Sequence, residues 1–159
     1  MVSTKYNLNL LTTILEQKRR KKMAAELDDV KINVKIKLSA LWVTIMLIYI
    51  YVDIFGFYKP GIIEDILAGK VWVFEITQTW ALGSLILMMI PSLMVFLSLA
   101  LKAKVNRWIN IIVGILYIVV AIGTTIGETW VSYIFGHSVG VVLLLLILWY
   151  AWKWPKQEG

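Results

Sequence analysis

Apolar residues fill four long stretches of the chain, and short polar segments separate them. The stretches lie near residues 38–58, 77–101, 108–127 and 130–152. A helix needs about 20 apolar residues to cross a bilayer, and only helices or closed barrels satisfy their backbone groups in lipid. Runs such as VGVVLLLLILWYAW lack the alternation of a barrel strand. The pattern therefore predicts an all-α fold, a four-helix transmembrane bundle.

The segment before the first stretch shows two further patterns. Within residues 3–27, apolar side chains recur at helical spacing: Leu8, Leu11, Ile14 and Leu15. The basic run KRRKK follows them, which predicts an amphipathic cytoplasmic helix that binds anionic lipid, or one that acts only as a topology signal. Residues 30–37 alternate apolar and polar, which predicts an extended linker. The predicted organisation is a basic helix over 1–29, a transmembrane domain over 30–155 and a tail over 156–159.

Proline and glycine mark three further features. Pro60 and Gly69 bracket IIEDILA, which predicts a short helix in the loop between the first two spans. Pro91 predicts a kink in the second span and frees the carbonyl of Leu87. Small residues predict close backbone packing of the third and fourth spans as a tight antiparallel hairpin. These are Gly123, Gly127, Ser132, Gly136 and Gly140.

Composition and charge set the protein class and the topology. The chain is 60% hydrophobic, above the usual composition of soluble domains, and contains no cysteine, which excludes thiolate metal sites. Of its 16 Lys and Arg residues, 14 fall on one side of the predicted spans, and only Lys59 and Lys70 on the other. The positive-inside rule then predicts a multi-pass protein of the plasma or inner membrane with both termini cytoplasmic. The net charge of +6 is thereby explained by topology, so the predicted partner is the bilayer and not nucleic acid.

Polar side chains inside the spans concentrate in the outer half. Asp53 lies about 7–8 Å below the outer boundary and His137 about 10 Å below it, at 1.5 Å per residue. Charged groups at such depth require a partner or a function. The sequence therefore predicts an outward-facing acidic cavity, with Tyr117 nearby. Its candidate ligand- or proton-binding residues are Asp53, His137, Glu128, Gln78, Tyr49 and Tyr133.

Each main candidate also has a structural interpretation. Asp53 can form a polar knot with His137 or Tyr49, and Glu128, at a short turn, can simply be solvated. A single histidine does not make a metal site, although with Asp53 and Glu128 it could bind metal or transfer protons. Phosphate-binding loops, hydrolase elbows, paired-histidine zinc motifs and haem-attachment motifs are absent from the sequence. We therefore predict no cofactor and no metal site, and the sequence leaves the catalytic residues, if the protein is an enzyme, unassigned.

Three segments carry a resemblance to known proteins. YIYVDIFGFYKPG, the following IIEDILAG, and RWIN at the start of the third span are similar to an uncharacterised family of small four-span prokaryotic membrane proteins. The resemblance covers roughly Val34 to Pro155. In size and layout the chain also resembles the DoxX-type four-helix proteins. The resemblance implies the architecture and carries over no activity.

Three functional hypotheses follow. The first is a protein that binds or translocates a cation, a proton or a small cationic or amphipathic ligand, where transport through four short helices would require a homo-oligomer. The second is a small integral-membrane enzyme for a lipid-soluble substrate, with Asp53 and His137 as acid and base. The third is a non-catalytic accessory subunit whose polar cluster is structural.

Overall fold

The computed structural model describes residues 12–20 and 30–155, and helices dominate both ranges. Residues 12–20 are helical and are called α1. The elements that follow are α2 (Val34–Gly56), α3 (Ile62–Leu67), β1 (Lys70–Val71), β2 (Phe74–Glu75), α4 (Gln78–Ala100), α5 (Ala103–Thr125) and α6 (Val131–Trp152). Four helices, α2, α4, α5 and α6, are each long and apolar enough to cross a membrane. The predicted all-α architecture with four transmembrane helices is confirmed.

The four spans form an up-and-down bundle. α2 packs against both α4 and α6, α6 also packs against α5, and α4 touches α5 only lightly. Because consecutive spans run in opposite directions, the starts of α2 and α5 lie at the same end as the ends of α4 and α6. We call this the termini end, and the opposite end, with the α2–α4 and α5–α6 connections, the hairpin end.

The first span begins earlier than predicted, because Lys35 in its first turn finds hydrogen-bond partners at the end of α4. α2 starts at Val34, and the side chain of Asn33 caps it by accepting a hydrogen bond from the Lys35 N–H at 2.9 Å. The Lys35 ammonium donates to the carbonyls of Leu99 (3.2 Å) and Leu101 (2.7 Å) at the end of α4. A cation at these terminal carbonyls is favourable. The prediction of an extended segment was therefore wrong from residue 34 onward.

The third span also begins earlier than predicted, at Ala103 and not near residue 108. Its first turns carry polar residues, and these lower the local hydropathy, so the sequence pattern assigns them to the preceding loop. Asn106 is nevertheless fully buried, and its amide donates to the carbonyl of Ser98 at 2.6 Å. Tertiary hydrogen bonding therefore extends the helix beyond the apolar stretch.

The long loop at the hairpin end contains the predicted short helix, α3, and also a hairpin that the sequence did not predict. β1 and β2 pair antiparallel, with Lys70 opposite Glu75 and Val71 opposite Phe74. Trp72 in the turn has a positive φ of 52°, a conformation that is uncommon outside glycine. A two-residue strand is too short for an alternation pattern to reveal it.

Close packing occurs within the α5–α6 hairpin at Gly114, where an added Cβ would lie 2.9 Å from Leu148, and also between α6 and α2. A Cβ added at Gly136 would lie 2.3 Å from Cγ2 of Val52, and one at Gly140 would lie 3.1 Å from the ring of Tyr49. A Cβ at Gly123 meets nothing within 4 Å. The small residues of α6 therefore admit the side chains of α2.

A buried polar network ties three spans together near the termini end. Asn110 accepts a hydrogen bond from the Trp42 indole N–H at 2.8 Å, and its own amide donates to the side-chain oxygen of Asn106 at 2.7 Å. Trp42, Asn106 and Asn110 are all fully buried. The sequence predicts that polar side chains inside the spans concentrate in the outer half, at the hairpin end. The buried network shows that the termini end also contains polar groups in its core.

The predicted N-terminal amphipathic helix is covered only in part. Residues 12–20 are helical, and Ile14 and Leu15 are exposed there. Residues 1–11 and 21–29, with part of the KRRKK run, and the predicted tail 156–159 lie outside the described residues. The predicted binding of this helix to anionic lipid stays a prediction.

Gly136→Ala is expected to destabilise the protein by about 1–3 kcal/mol, because the added methyl group clashes with the stiff β-branched Val52. Gly123→Ala is the matched control, and we expect it to stabilise by up to about 1 kcal/mol through helix propensity alone. Unfolding of the purified variants in detergent measures both. Equal effects of the two substitutions would contradict the α2–α6 packing.

Asn110→Leu is expected to cost about 1–3 kcal/mol of stability, because it leaves the buried indole N–H of Trp42 without its acceptor. Thr44→Val serves as the control, since the Thr44 hydroxyl is exposed and donates only to Ala40 within its own helix. The same unfolding measurement applies. A loss no larger than that of the control would show that the network contributes little to stability.

Candidate functional site

A cavity of about 80 Å³ lies between the four spans in the half of the bundle toward the hairpin end. Each spanning helix contributes to its wall. The lining residues are Tyr49 and Asp53 from α2, Leu87 and Met88 from α4, Tyr117, Val120, Ala121 and Thr124 from α5, and Tyr133 and His137 from α6. Four of the six predicted site residues, Tyr49, Asp53, Tyr133 and His137, therefore surround one space.

Helical spacing places the key side chains in pairs. Tyr49 and Asp53 are four residues apart on α2, and Tyr133 and His137 are four apart on α6, so each pair faces the same direction. α2 ends at Gly56, which puts Asp53 about 4–5 Å from the helix end, shallower than predicted. His137 lies deeper along α6, yet both side chains line the cavity.

His137 is held by its own helix and by two aromatic rings. Its ring stacks on Tyr133, with centroids 4.2 Å apart, and on Tyr49, with centroids 5.9 Å apart. Nδ1 lies 3.1 Å from the backbone carbonyl of Tyr133. Because a carbonyl only accepts, Nδ1 carries the proton in this contact, and Nε2 holds the lone pair when the ring is neutral. The imidazole is thus fixed with one nitrogen left to accept a proton.

Asp53 has no such anchor. It is an exposed residue that also lines the cavity, so the cavity is open at its carboxylate. Within residues 12–20 and 30–155, no hydrogen bond or ion pair involves this carboxylate. The structure therefore does not show the polar knot with Tyr49 or His137 that was the structural interpretation of Asp53.

Tyr117 closes the wall between α4 and α5. Pro91 has no N–H, so it leaves the carbonyl of Leu87 without its helical donor, as the sequence indicated. The Tyr117 hydroxyl donates a hydrogen bond to that carbonyl. The Tyr117 ring also packs edge-on against Trp42, with centroids 6.2 Å apart. This contact lies between the cavity and the buried network of the termini end.

Glu128 was predicted to line the cavity, but it is not among the lining residues. It forms an ion pair with Lys59, and both side chains are mostly buried, with 16% and 14% exposed. The second oxygen accepts hydrogen bonds from the N–H groups of Thr129 (2.8 Å) and Trp130 (2.9 Å) at the start of α6. Burial raises the pKa of Glu128, but the bonds from Lys59 and the two backbone N–H groups outweigh it and lower the pKa below its ordinary value.

Gln78, the sixth predicted residue, is exposed in the first turn of α4 and does not line the cavity either. The sequence analysis did not identify Lys59 as an ion-pair partner. One signal for this role was present, because Lys59 is one of only two basic residues on the side where several acids lie. Its ammonium lies 4.8 Å from the ring centroid of Tyr133, which lines the cavity. The Lys59–Glu128 pair therefore connects the end of α2 to the start of α6 beside the cavity.

A second space borders the cavity at His137. A groove of about 440 Å³ on the outside of α5 and α6 is lined mainly by apolar side chains. Its lining residues are Ala121, Ile122, Thr125, Ile126, His137, Ser138 and Val141. His137 thus lines both the internal cavity and this groove. Among the described residues, no group of three or more His, Cys, Asp and Glu side chains is arranged to hold a metal ion.

Comparison with known families gives a match over most of the chain. The chain belongs to a family of unknown function, DUF6326, whose model matches residues 26–159. This confirms the expected membership in an uncharacterised family. No curated protein and no solved structure matches the chain. The ligand-binding roles of Asp53, His137, Glu128, Gln78, Tyr49 and Tyr133 stay predictions.

Lys59 and Glu128 are expected to couple by about 1 kcal/mol in a double-mutant cycle of Lys59→Met and Glu128→Gln. Since the folded pKa of Glu128 is lowered, its contribution is complete above the unfolded pKa near 4.3 and is lost as the pH falls through the folded pKa. Unfolding in detergent between pH 7 and pH 3 measures this. Glu64→Gln, an exposed acid on α3, is the control, and an equal pH dependence in both variants would contradict the assignment.

Proposed function

We propose that this member of the family binds a proton or a small cation in the cavity at the hairpin end. The observation that supports this most directly is the convergence of Asp53, His137 and three tyrosines, contributed by three helices, on one small space. Intramembrane acids are rare and commonly mark ion or proton sites. The carboxylate supplies the charge, and the imidazole Nε2 supplies a lone pair that faces no other partner of its own helix.

The size of the cavity limits the ligand. About 80 Å³ holds a few water molecules, at roughly 10–15 Å³ of such volume per water. This suits a proton, a partly hydrated metal cation or a small amine, and is too small for a large amphipathic molecule. The rings of Tyr49, Tyr117 and Tyr133 also favour a cation, because aromatic faces attract positive charge.

The charge pattern supports an orientation for this site. The termini end carries the predicted cytoplasmic basic residues, so the positive-inside rule puts both termini in the cytoplasm and the cavity toward the outside of the cell membrane. Binding from outside then precedes any transport. Translocation would further require Tyr117 and Trp42, which pack below the cavity, to move apart.

Thermal unfolding with added cations tests the proposal. Sodium, potassium and methylammonium chlorides are titrated at constant ionic strength onto the purified protein in lipid nanodiscs. A ligand at a hundred times its Kd stabilises by about 2.7 kcal/mol. We expect at least one cation to stabilise the wild type and Asp65→Asn, an exposed control on α3, but not Asp53→Asn. If none does, proton uptake on lowering the pH is compared in wild type, Asp53→Asn and His137→Gln. Asp53→Asn behaving like the wild type in both measurements would overturn the proposal.

A membrane enzyme is the second candidate, and one observation favours it. His137 lines both the cavity and the outer groove along α5 and α6, so a lipid-soluble molecule in that groove would reach the imidazole without entering water. Asp53 and His137 would then act as acid and base. Turnover of a lipid-soluble substrate that is lost in both Asp53→Asn and His137→Ala distinguishes this candidate from cation binding. An accessory role remains the alternative if Asp53→Asn changes neither binding nor turnover.

A further inference from the structure

A second groove lies at the other end of the same helix pair and is independent of the proposed cation site. It has a volume of about 420 Å³ and lies between α5 and α6 toward the termini end. Its lining residues are Ile111, Ile115, Leu148, Trp149, Trp152 and Lys153. The wall is apolar at Ile111, Ile115 and Leu148, at membrane depth, and becomes aromatic and basic where α6 ends. This change from apolar to basic lining matches a phospholipid, whose acyl chain would contact the apolar part and whose charged headgroup would contact the basic end.

Two cations stand at the basic end of the groove, each held on an indole. The Arg107 guanidinium lies 5.6 Å from the ring centroid of Trp152, and the Lys153 ammonium lies 4.2 Å from that of Trp149. Stacking of this kind fixes long side chains that would otherwise move freely in water. Lys153 therefore lines the end of the groove, and Arg107 is held beside it on the lining residue Trp152.

Arg107 also has an unused donor. Its Nε is buried and has no hydrogen-bond partner within residues 12–20 and 30–155. An unpaired buried donor is costly, and a guanidinium prefers the paired oxygens of a carboxylate or a phosphate. The described part of the chain therefore provides no acceptor for this donor, and the guanidinium has no carboxylate partner there.

The described residues at this end of the spans include no carboxylate. Residues 32–50, 95–110 and 145–155, which form the termini end of the spans, contain no acid; their basic residues are Lys35, Lys37, Lys102, Lys104, Arg107 and Lys153. The one ion pair among the described residues, Lys59 with Glu128, lies at the hairpin end. Among the described residues of this end, the positive charges therefore have no acidic partner.

We propose that this groove binds an anionic phospholipid of the surrounding leaflet. Its phosphate lies between Arg107 and Lys153, and one acyl chain lies along Ile111, Ile115 and Leu148. Trp149 and Trp152 sit at the level of the headgroup, where such rings are favoured. The site is distinct from the basic N-terminal segment, whose attraction to lipid would depend on total charge and not on a groove.

Native mass spectrometry of the detergent-solubilised protein tests the headgroup contact, with phosphatidylglycerol and phosphatidylcholine titrated separately. We expect phosphatidylglycerol to bind more tightly, and Arg107→Gln and Lys153→Gln each to weaken it about fivefold, the factor for one basic residue near an anionic surface. Lys104→Gln is the matched control, because Lys104 belongs to the same basic end but is not at the groove. An equal loss in Lys104→Gln, or no preference between the two lipids in the wild type, would overturn the proposal.

The acyl-chain contact has its own test. Ile115→Trp fills the groove and is expected to weaken phosphatidylglycerol binding, whereas Ile112→Trp adds the same side chain at a neighbouring exposed position outside the lining and leaves binding unchanged. Adding inorganic phosphate separates a lipid site from a simple anion site. Displacement of the lipid by millimolar phosphate, or equal binding by the two tryptophan variants, would contradict a phospholipid site. Retained thermal stability of each variant shows that the changes do not come from unfolding.

Discussion

A polar group inside a bilayer must find its partner within the protein, because hydrocarbon offers none. The Leu87 carbonyl, which Pro91 leaves without a helical donor, accepts from the Tyr117 hydroxyl of the next span. The last carbonyls of α4 likewise accept from Lys35 of α2. These bonds join α4 to its neighbours, although α4 packs only lightly against α5. The position of α4 is therefore set by hydrogen bonds as well as by side-chain packing.

The same constraint divides the bundle into two halves. Toward the termini end, Asn106, Asn110 and Trp42 are buried and satisfy one another, which is the arrangement of a structural network. Toward the hairpin end, the Asp53 carboxylate has no hydrogen bond or ion pair in the described part of the chain, and His137 keeps Nε2 as an acceptor. Buried groups that pair with one another hold helices together, whereas an exposed carboxylate and a ring nitrogen beside a cavity are available to a ligand. This contrast supports a binding role for the hairpin end.

Hydropathy was sufficient to predict the four spans, because each one exposes most of its apolar residues to lipid. It failed where a tertiary partner changes the environment of a polar residue, as at Lys35 and Asn106, so α2 and α5 begin earlier than predicted. Helical spacing predicted that Tyr49 with Asp53 and Tyr133 with His137 would face one space. It could not pair Lys59 with Glu128, since that contact depends on how α2 and α6 lie side by side and not on spacing within one helix.

The packing of α6 on α2 explains why the cavity is small and also why it persists. Gly136 and Gly140 let α6 approach α2 closely. Val52 and Tyr49 of α2 occupy the space that a side chain at either glycine would need. Tyr49 is thereby placed against His137, and Asp53, one turn farther along α2, is placed at the open side of the same space. At the rim, Lys59 and Glu128 connect the same two helices. The α2–α6 contact therefore holds the acid and the imidazole at one cavity.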